Sequence, residues 1–131
     1  MWEELFHNFA NAITITGASG VKHGSNGLAT VQVGEPATID SGTGGKSIWY
    51  NWTAPASGSV TFDTIGSDFD TLLAAYTGAA VGSLVSIAEN DDGAGIAPRS
   101  RITFTAVSGT TYRIRVDGFS GDSGLVTLNW A

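Results

Sequence analysis

Short runs of alternating apolar and polar residues, each bounded by Gly, Ser, Asp or Pro, recur along almost the whole chain after residue 12. A repeat of two marks a strand with one buried face, whereas a helix repeats every 3.6 residues. The runs fall at 12–16, 29–33, 47–53, 59–64, 71–77, 84–89, 101–105, 111–117 and 125–130, and a further strand precedes Asn26. Eight to ten short strands separated by turn signals predict an all-β chain, an antiparallel β-sandwich of jelly-roll-like form. Two stretches, TAPASGSVTFD (53–63) and TAVSGTTYRIRVD (105–117), read as similar hairpins and not as a repeat array.

The alternation also assigns faces. Ile48, Tyr50 and Trp52 share one face, as do Val60 and Phe62, then Tyr112, Ile114 and Val116, then Val126, Leu128 and Trp130. These residues, with Ile13, Ile15, Leu73, Ile102 and Phe104, form the expected core. Residues 34–46 are the longest strand-poor segment. The start of the chain follows another rule: Trp2, Leu5, Phe6 and Phe9 are spaced i, i+3, i+4 and i+7, which predicts a short N-terminal helix or turn. Such a helix is marginal alone in water, so its stripe is expected to dock on the sandwich or on a partner. Residues 1–7 are accordingly an N-terminal extension and 8–131 a single sandwich domain.

Composition removes several function classes. The 131 residues carry 12 acids, 6 bases and no cysteine. A net charge of −6 argues against a nucleic-acid partner, which needs a basic face. No disulfide or thiolate metal site is available. The apolar run Leu72–Tyr76 is too short for membrane insertion as a helix, and the acidic start MWEELFH lacks the basic region of a secretion signal.

Catalytic patterns are missing as well. There is no H-E-x-x-H or G-x-S-x-G, and GTGGKS lacks the strand-loop-helix setting of a phosphate loop. His7 and His23 read as surface residues. The chain is not expected to be an enzyme.

Three features remain as candidate sites. The first is the stretch SIAENDDGAG (86–95). With GSDFDT (66–71) it places Asp70, Asn90, Asp91 and Asp92 at what become neighbouring loops if the 71–77 and 84–89 strands pair. Two readings stand: Asx turns closed by Gly93, or an oxygen-rich calcium site that is not an EF-hand. The second is Arg113 and Arg115, which alternate onto one face. They read either as an anionic or peptide-carboxylate site or as a solvated face balanced by Asp63, Asp117 or Glu89. The third is Trp49, opposite the Ile48–Tyr50–Trp52 stripe, which is either an exposed ligand platform or the cover of a second layer. Trp2 and Phe6 are the candidate partner contacts of the N-terminal stripe.

Six motifs in order, NFANAITITG (8–17), GGKSIWYNWTAPASGSVTFDT (44–64), GSDFDTLLAAYTG (66–78), IAENDDG (87–93), SRITFTAVSGTTYRIRVDG (100–118) and SGLVTLNW (123–130), resemble the bacterial pre-peptidase C-terminal (PPC-like) domain family. The resemblance implies a jelly-roll-like sandwich acting as a non-catalytic module of exported bacterial proteases and other large extracellular proteins. Its setting would be extracellular or at the cell surface, beside neighbouring domains of a larger parent. Relatives in clostridial collagenases are expected to bind calcium, through an acidic N-terminal segment and an Asp-rich strand start, and to bind fibrous protein. Here His7-Asn8 and Lys46 stand at those positions, which leaves Asp68, Asp70, Asn90, Asp91 and Asp92 as the acid and amide candidates.

The function expected is therefore an accessory binding module for a protein or carbohydrate polymer. No cofactor is required, and calcium is the candidate stabiliser. The alternative is a structural or assembly domain making domain–domain or homo-oligomer contacts.

Overall fold

The structure, a computed structural model, describes residues 8–131. Strands β1 (Ile13–Ile15), β5 (Ile48–Thr53), β10 (Thr111–Gly118), β7 (Thr71–Thr77) and β8 (Val85–Asn90) form one sheet in that spatial order. Strands β2 (Gly20–Ser25), β11 (Leu125–Trp130), β6 (Gly58–Asp63) and β9 (Arg101–Ala106) form a second. A two-residue-per-arm hairpin joins β3 (Thr38–Ile39) to β4 (Gly42–Thr43). The two large sheets stack as a β-sandwich. All their pairings are antiparallel except one: β1 runs parallel to β5, with Ile13 opposite Tyr50 and Ile15 opposite Trp52.

The layer between the sheets is the one alternation assigns. Ile48, Tyr50, Trp52, Val60, Phe62, Ile102, Phe104, Tyr112, Ile114, Val116, Val126, Leu128 and Trp130 are all buried in one cluster. Its centre is aromatic: Trp52 meets Phe62 edge-on at 5.3 Å between ring centroids, and Phe62 stacks on Phe104 and Trp130. Buried indoles need a polar partner for the N–H. The Gly17 carbonyl accepts both, from Trp52 Nε1 at 2.9 Å and from Trp130 Nε1 at 3.1 Å, and so ties the two sheets at the β1–β2 turn. Gly20 admits no side chain, because a Cβ there would lie 2.4 Å from the Trp130 ring.

A second apolar layer lies on the outer face of the five-stranded sheet. Trp49, Leu72, Ala74 and Tyr76 point outward and are buried with Ile39 of the hairpin, and half-buried Phe9, Ala12, Val81 and Leu84 surround them. This explains why TLLAAY is nearly continuously apolar. A strand covered on both faces has no polar side to alternate with.

Two expectations change. Residues 29–33 form no strand. Ala29 is buried and its N–H donates to the Asn26 carbonyl in a turn, while Leu28, Val31 and Val33 are exposed, Val33 by 96%. The T-V-Q-V pattern therefore alternates without a sheet to bury it. Phe9 does not sit in the expected helix: Phe9–Asn11 is a 3-10 turn preceded by Asn8 in extended conformation (ψ 150°). Trp2, Leu5 and Phe6 lie outside the described residues.

Candidate functional site

Antiparallel pairing of β7 with β8 sets Leu73 opposite Asn90. The residue entering β7, Asp70, thus faces those leaving β8, Asp91 and Asp92. Carboxylate oxygens of all three lie within 4.8 Å of one another. Nearby backbone is fixed by buried hydroxyls. Thr64 and Thr71 share a 2.6 Å bond, Thr71 and Ser100 one of 2.9 Å, and Ser100 Oγ donates to the Asp91 carbonyl at 2.5 Å. The Asp70 carbonyl accepts from Phe119 N at 2.9 Å. The carboxylates are therefore held by their backbones, not by each other.

Electrostatics within this group are unfavourable. Asp70 Oδ1 and Asp91 Oδ1 are buried and have no hydrogen-bond partner among the described residues. Burial first, then the charges of Asp92, Asp70 and Asp40, pushes the Asp91 carboxyl up to about 6. Burial, then Asp92 and Asp122, also raises Asp70. Like charges packed together disfavour ionisation in this way.

Two acids that sequence reading passed over complete the surroundings. Asp40, at the β3–β4 tip, accepts the Asp91 N–H at 3.1 Å, and Asp122 accepts the Asp70 N–H at 3.1 Å. Their sequence distance hides them. In the structure Asp40 and Ser41 hold φ of 48° and 69°, the left-handed pair a two-residue hairpin turn demands.

The other candidates in this region are fastened elsewhere. Asn90 Oδ1 accepts the Arg101 N–H at 3.0 Å, and Asp68 Oδ1 accepts the Leu125 N–H at 2.8 Å. Gly93, expected to close the turn, does so without a positive φ; Gly95 carries one, at 77°. Gly93 is small for another reason: a Cβ would come within 2.7 Å of the Ile96 side chain.

Trp49 is not an exposed platform. It is 0% exposed, with Phe9 edge-on at 5.1 Å and Tyr76 at 5.7 Å. Sequence parity placed it correctly on the outer face, but that face is covered. Arg115 is likewise no surface charge. It is 1% exposed, pairs with the buried side chain of Glu35 at 3.3 Å and with Asp117 at 3.0 Å, and donates to the Pro36 carbonyl at 2.9 Å. Its guanidinium also lies over the Trp49 ring. Asp117 in turn accepts the N–H groups of Gly45, Lys46 and Gly118. Gly44 packs against it so closely that a Cβ would collide with the carboxylate. Together these residues clamp the 32–47 segment to the sheet.

Arg113 is half-buried. It donates to the Gly78 carbonyl and to Asn51 Oδ1, both at 2.9 Å, and covers the Phe9 ring. Both guanidinium groups thus make bonds within the fold. At the opposite end of the sandwich, a cavity of about 130 Å³ lined by Trp52, Pro55, Ala56 and Ala106 gathers no acids.

Stacked sheets with short turns and an acidic corner define a sandwich module. The model of the bacterial pre-peptidase C-terminal domain matches residues 46–118, and the chain belongs to that family. Such domains are accessory domains of bacterial proteins, usually associated with peptidases. The fold is similar to that of the pre-peptidase C-terminal domain of collagenase from Bacillus anthracis, with a TM-score of 0.57 at 9% identity over 91% of this chain and 93% of that one. No curated protein matches the chain. Among the described residues no helix is long and apolar enough to cross a membrane.

Proposed function

We propose that this domain is a non-catalytic accessory module of an exported protein, stiffened by calcium at Asp70, Asp91 and Asp92 and presenting its surface to a polymeric ligand. One observation carries the calcium reading: buried, unpartnered oxygens on Asp70 and Asp91 within a group of three converging carboxylates. Calcium takes oxygen ligands, carboxylates among them, and its charge offsets the repulsion that raises both carboxyl groups. A bound cation would join the ends of β7 and β8 to the Asp40 hairpin and the Asp122 turn.

For the polymer, a protein fits better than a glycan. Sugars are held by stacking on exposed aromatic faces, and among the described residues all tryptophans and tyrosines are buried, with Phe119 the one exposed aromatic side chain. The assembly reading keeps one observation of its own, the exposed aliphatic side chains of Leu28, Val31 and Val33 on a firmly clamped loop.

Thermal unfolding with excess calcium, and separately with chelator, tests the cation. A ligand of the native state raises the midpoint by mass action, about 2.7 kcal/mol at a hundredfold excess over Kd. The expected result is a rise that Asp91→Asn abolishes. Superimposable curves for the unaltered protein would end the calcium reading and leave the acids as turn formers. Sedimentation across a concentration series separates the assembly reading, which requires mass to grow with concentration.

A further inference from the structure

Asn26-Gly27 is the one Asn-Gly pair in the chain. This dipeptide carries its own chemistry. The glycine nitrogen attacks the asparagine side-chain carbonyl carbon, a C–N bond forms, and ammonia leaves with the proton the nitrogen gives up. Water then adds to one carbonyl of the resulting succinimide and opens it to aspartate or isoaspartate. Glycine favours the reaction because it has no side chain to obstruct the ring and is free in backbone conformation.

The fold opposes each requirement. Asn26 is completely buried. Its Nδ2 donates to the Lys46 carbonyl at 3.0 Å and the Asp122 carbonyl at 3.2 Å, and its Oδ1 accepts the Gly124 N–H at 2.9 Å. The Asn26 carbonyl accepts from Ala29 and its N–H donates to Gly124. The attacking atom is occupied too, since the Gly27 N–H donates to Ser25 Oγ at 3.1 Å. One amide therefore clasps three segments: the turn after β2, the approach to β5 at Lys46, and the 122–124 turn into β11.

We propose that Asn26 is a latent deamidation site, held unreactive by this clasp, and that its conversion is a one-way switch that opens the junction. The direction follows from the atoms. Deamidation replaces two N–H donors with a carboxylate oxygen that faces the Lys46 and Asp122 carbonyl oxygens at a fully buried position. Isoaspartate also lengthens the backbone by one methylene inside the turn. Because the reaction needs the clasp open, its rate follows the population of the opened state. Each opening of the domain thus carries a chance of permanent conversion.

The experiment is peptide-resolved mass spectrometry of the whole chain, incubated at mildly alkaline pH with and without a denaturing concentration of urea. Native protein is expected to convert at residue 26 more slowly than unfolded chain by roughly a thousandfold or more. Equal rates would overturn the protection. Amide exchange of residues 122–124 is then compared between the unaltered protein and Asn26→Asp. Faster exchange in the variant is expected, and unchanged exchange would overturn the switch. Where Asn26→Asp does not fold, the rate ratio of the unaltered chain remains the deciding measurement.

Discussion

The two outer faces of the sandwich differ in what covers them. On the five-stranded sheet Trp49, Leu72, Ala74 and Tyr76 lie beneath Ile39 and the clamped 32–47 segment. On the four-stranded sheet the outward residues are Ser59, Thr61, Asp63, Arg101, Thr103, Thr105, Thr127 and Asn129, exposed or half-exposed. Their contacts are local: Thr61 with Thr103 at 2.8 Å, His23 with Thr127 at 3.2 Å, and Asn129 with Asp63 at 2.7 Å. The difference teaches that a sheet face becomes interior only when a connection is held over it. Here a buried arginine does the holding.

The largest way to break that contrast is Arg115→Met. It leaves Glu35 and Asp117 buried without their cation. Removing one member of a buried ionic group costs about 3–5 kcal/mol. The urea midpoint should fall accordingly at unchanged slope. A loss below about 1 kcal/mol would show that the outer layer stays in place without the clamp.

A smaller effect concerns the acidic corner where the covered face ends. The Asp91 carboxyl, at about 6, lies above its ordinary value of 3.8. The folded state thus binds the proton more tightly than the unfolded chain does. Its stabilising contribution is complete below the ordinary value and is lost as pH rises through about 6. In chelator, the share of the melting midpoint due to this group should be higher near about pH 5 than near about pH 7. Asp91→Asn should lessen the dependence. An identical pH profile in the variant would remove Asp91 as its source.

The smallest effect is expected on the bare face. Thr61→Val together with Thr103→Val removes a solvent-exposed hydroxyl pair and keeps the β-branched shape. The change in unfolding free energy should stay within about 0.5 kcal/mol. A loss comparable to that of Arg115→Met would mean the two faces are not so different.

Much of this was legible in the residues. Strict alternation places Tyr112, Ile114 and Val116 together because neighbouring side chains on a strand point oppositely. The same rule assigns Trp49 and Arg115 to the outer face. It is silent on whether that face meets water, which depends on Glu35, about 80 residues from Arg115 along the chain. At 29–33 the pattern misled, since alternating valines mark a strand only where a neighbouring strand offers hydrogen bonds. The acidic corner was half visible. Asp70, Asp91 and Asp92 follow from pairing β7 with β8, but Asp40 and Asp122 arrive from segments that no local pattern connects.

The sequence by itself determined an all-β sandwich, its inner face and the residues of its acidic turns, because those depend on the period of two and on local turn chemistry. Only the tertiary structure decided which outer face is sealed, that Arg115 is an internal clamp, and that Asn26 closes a junction of three segments. Those outcomes rest on contacts between distant parts of the chain, and burial and charge pairing are set there.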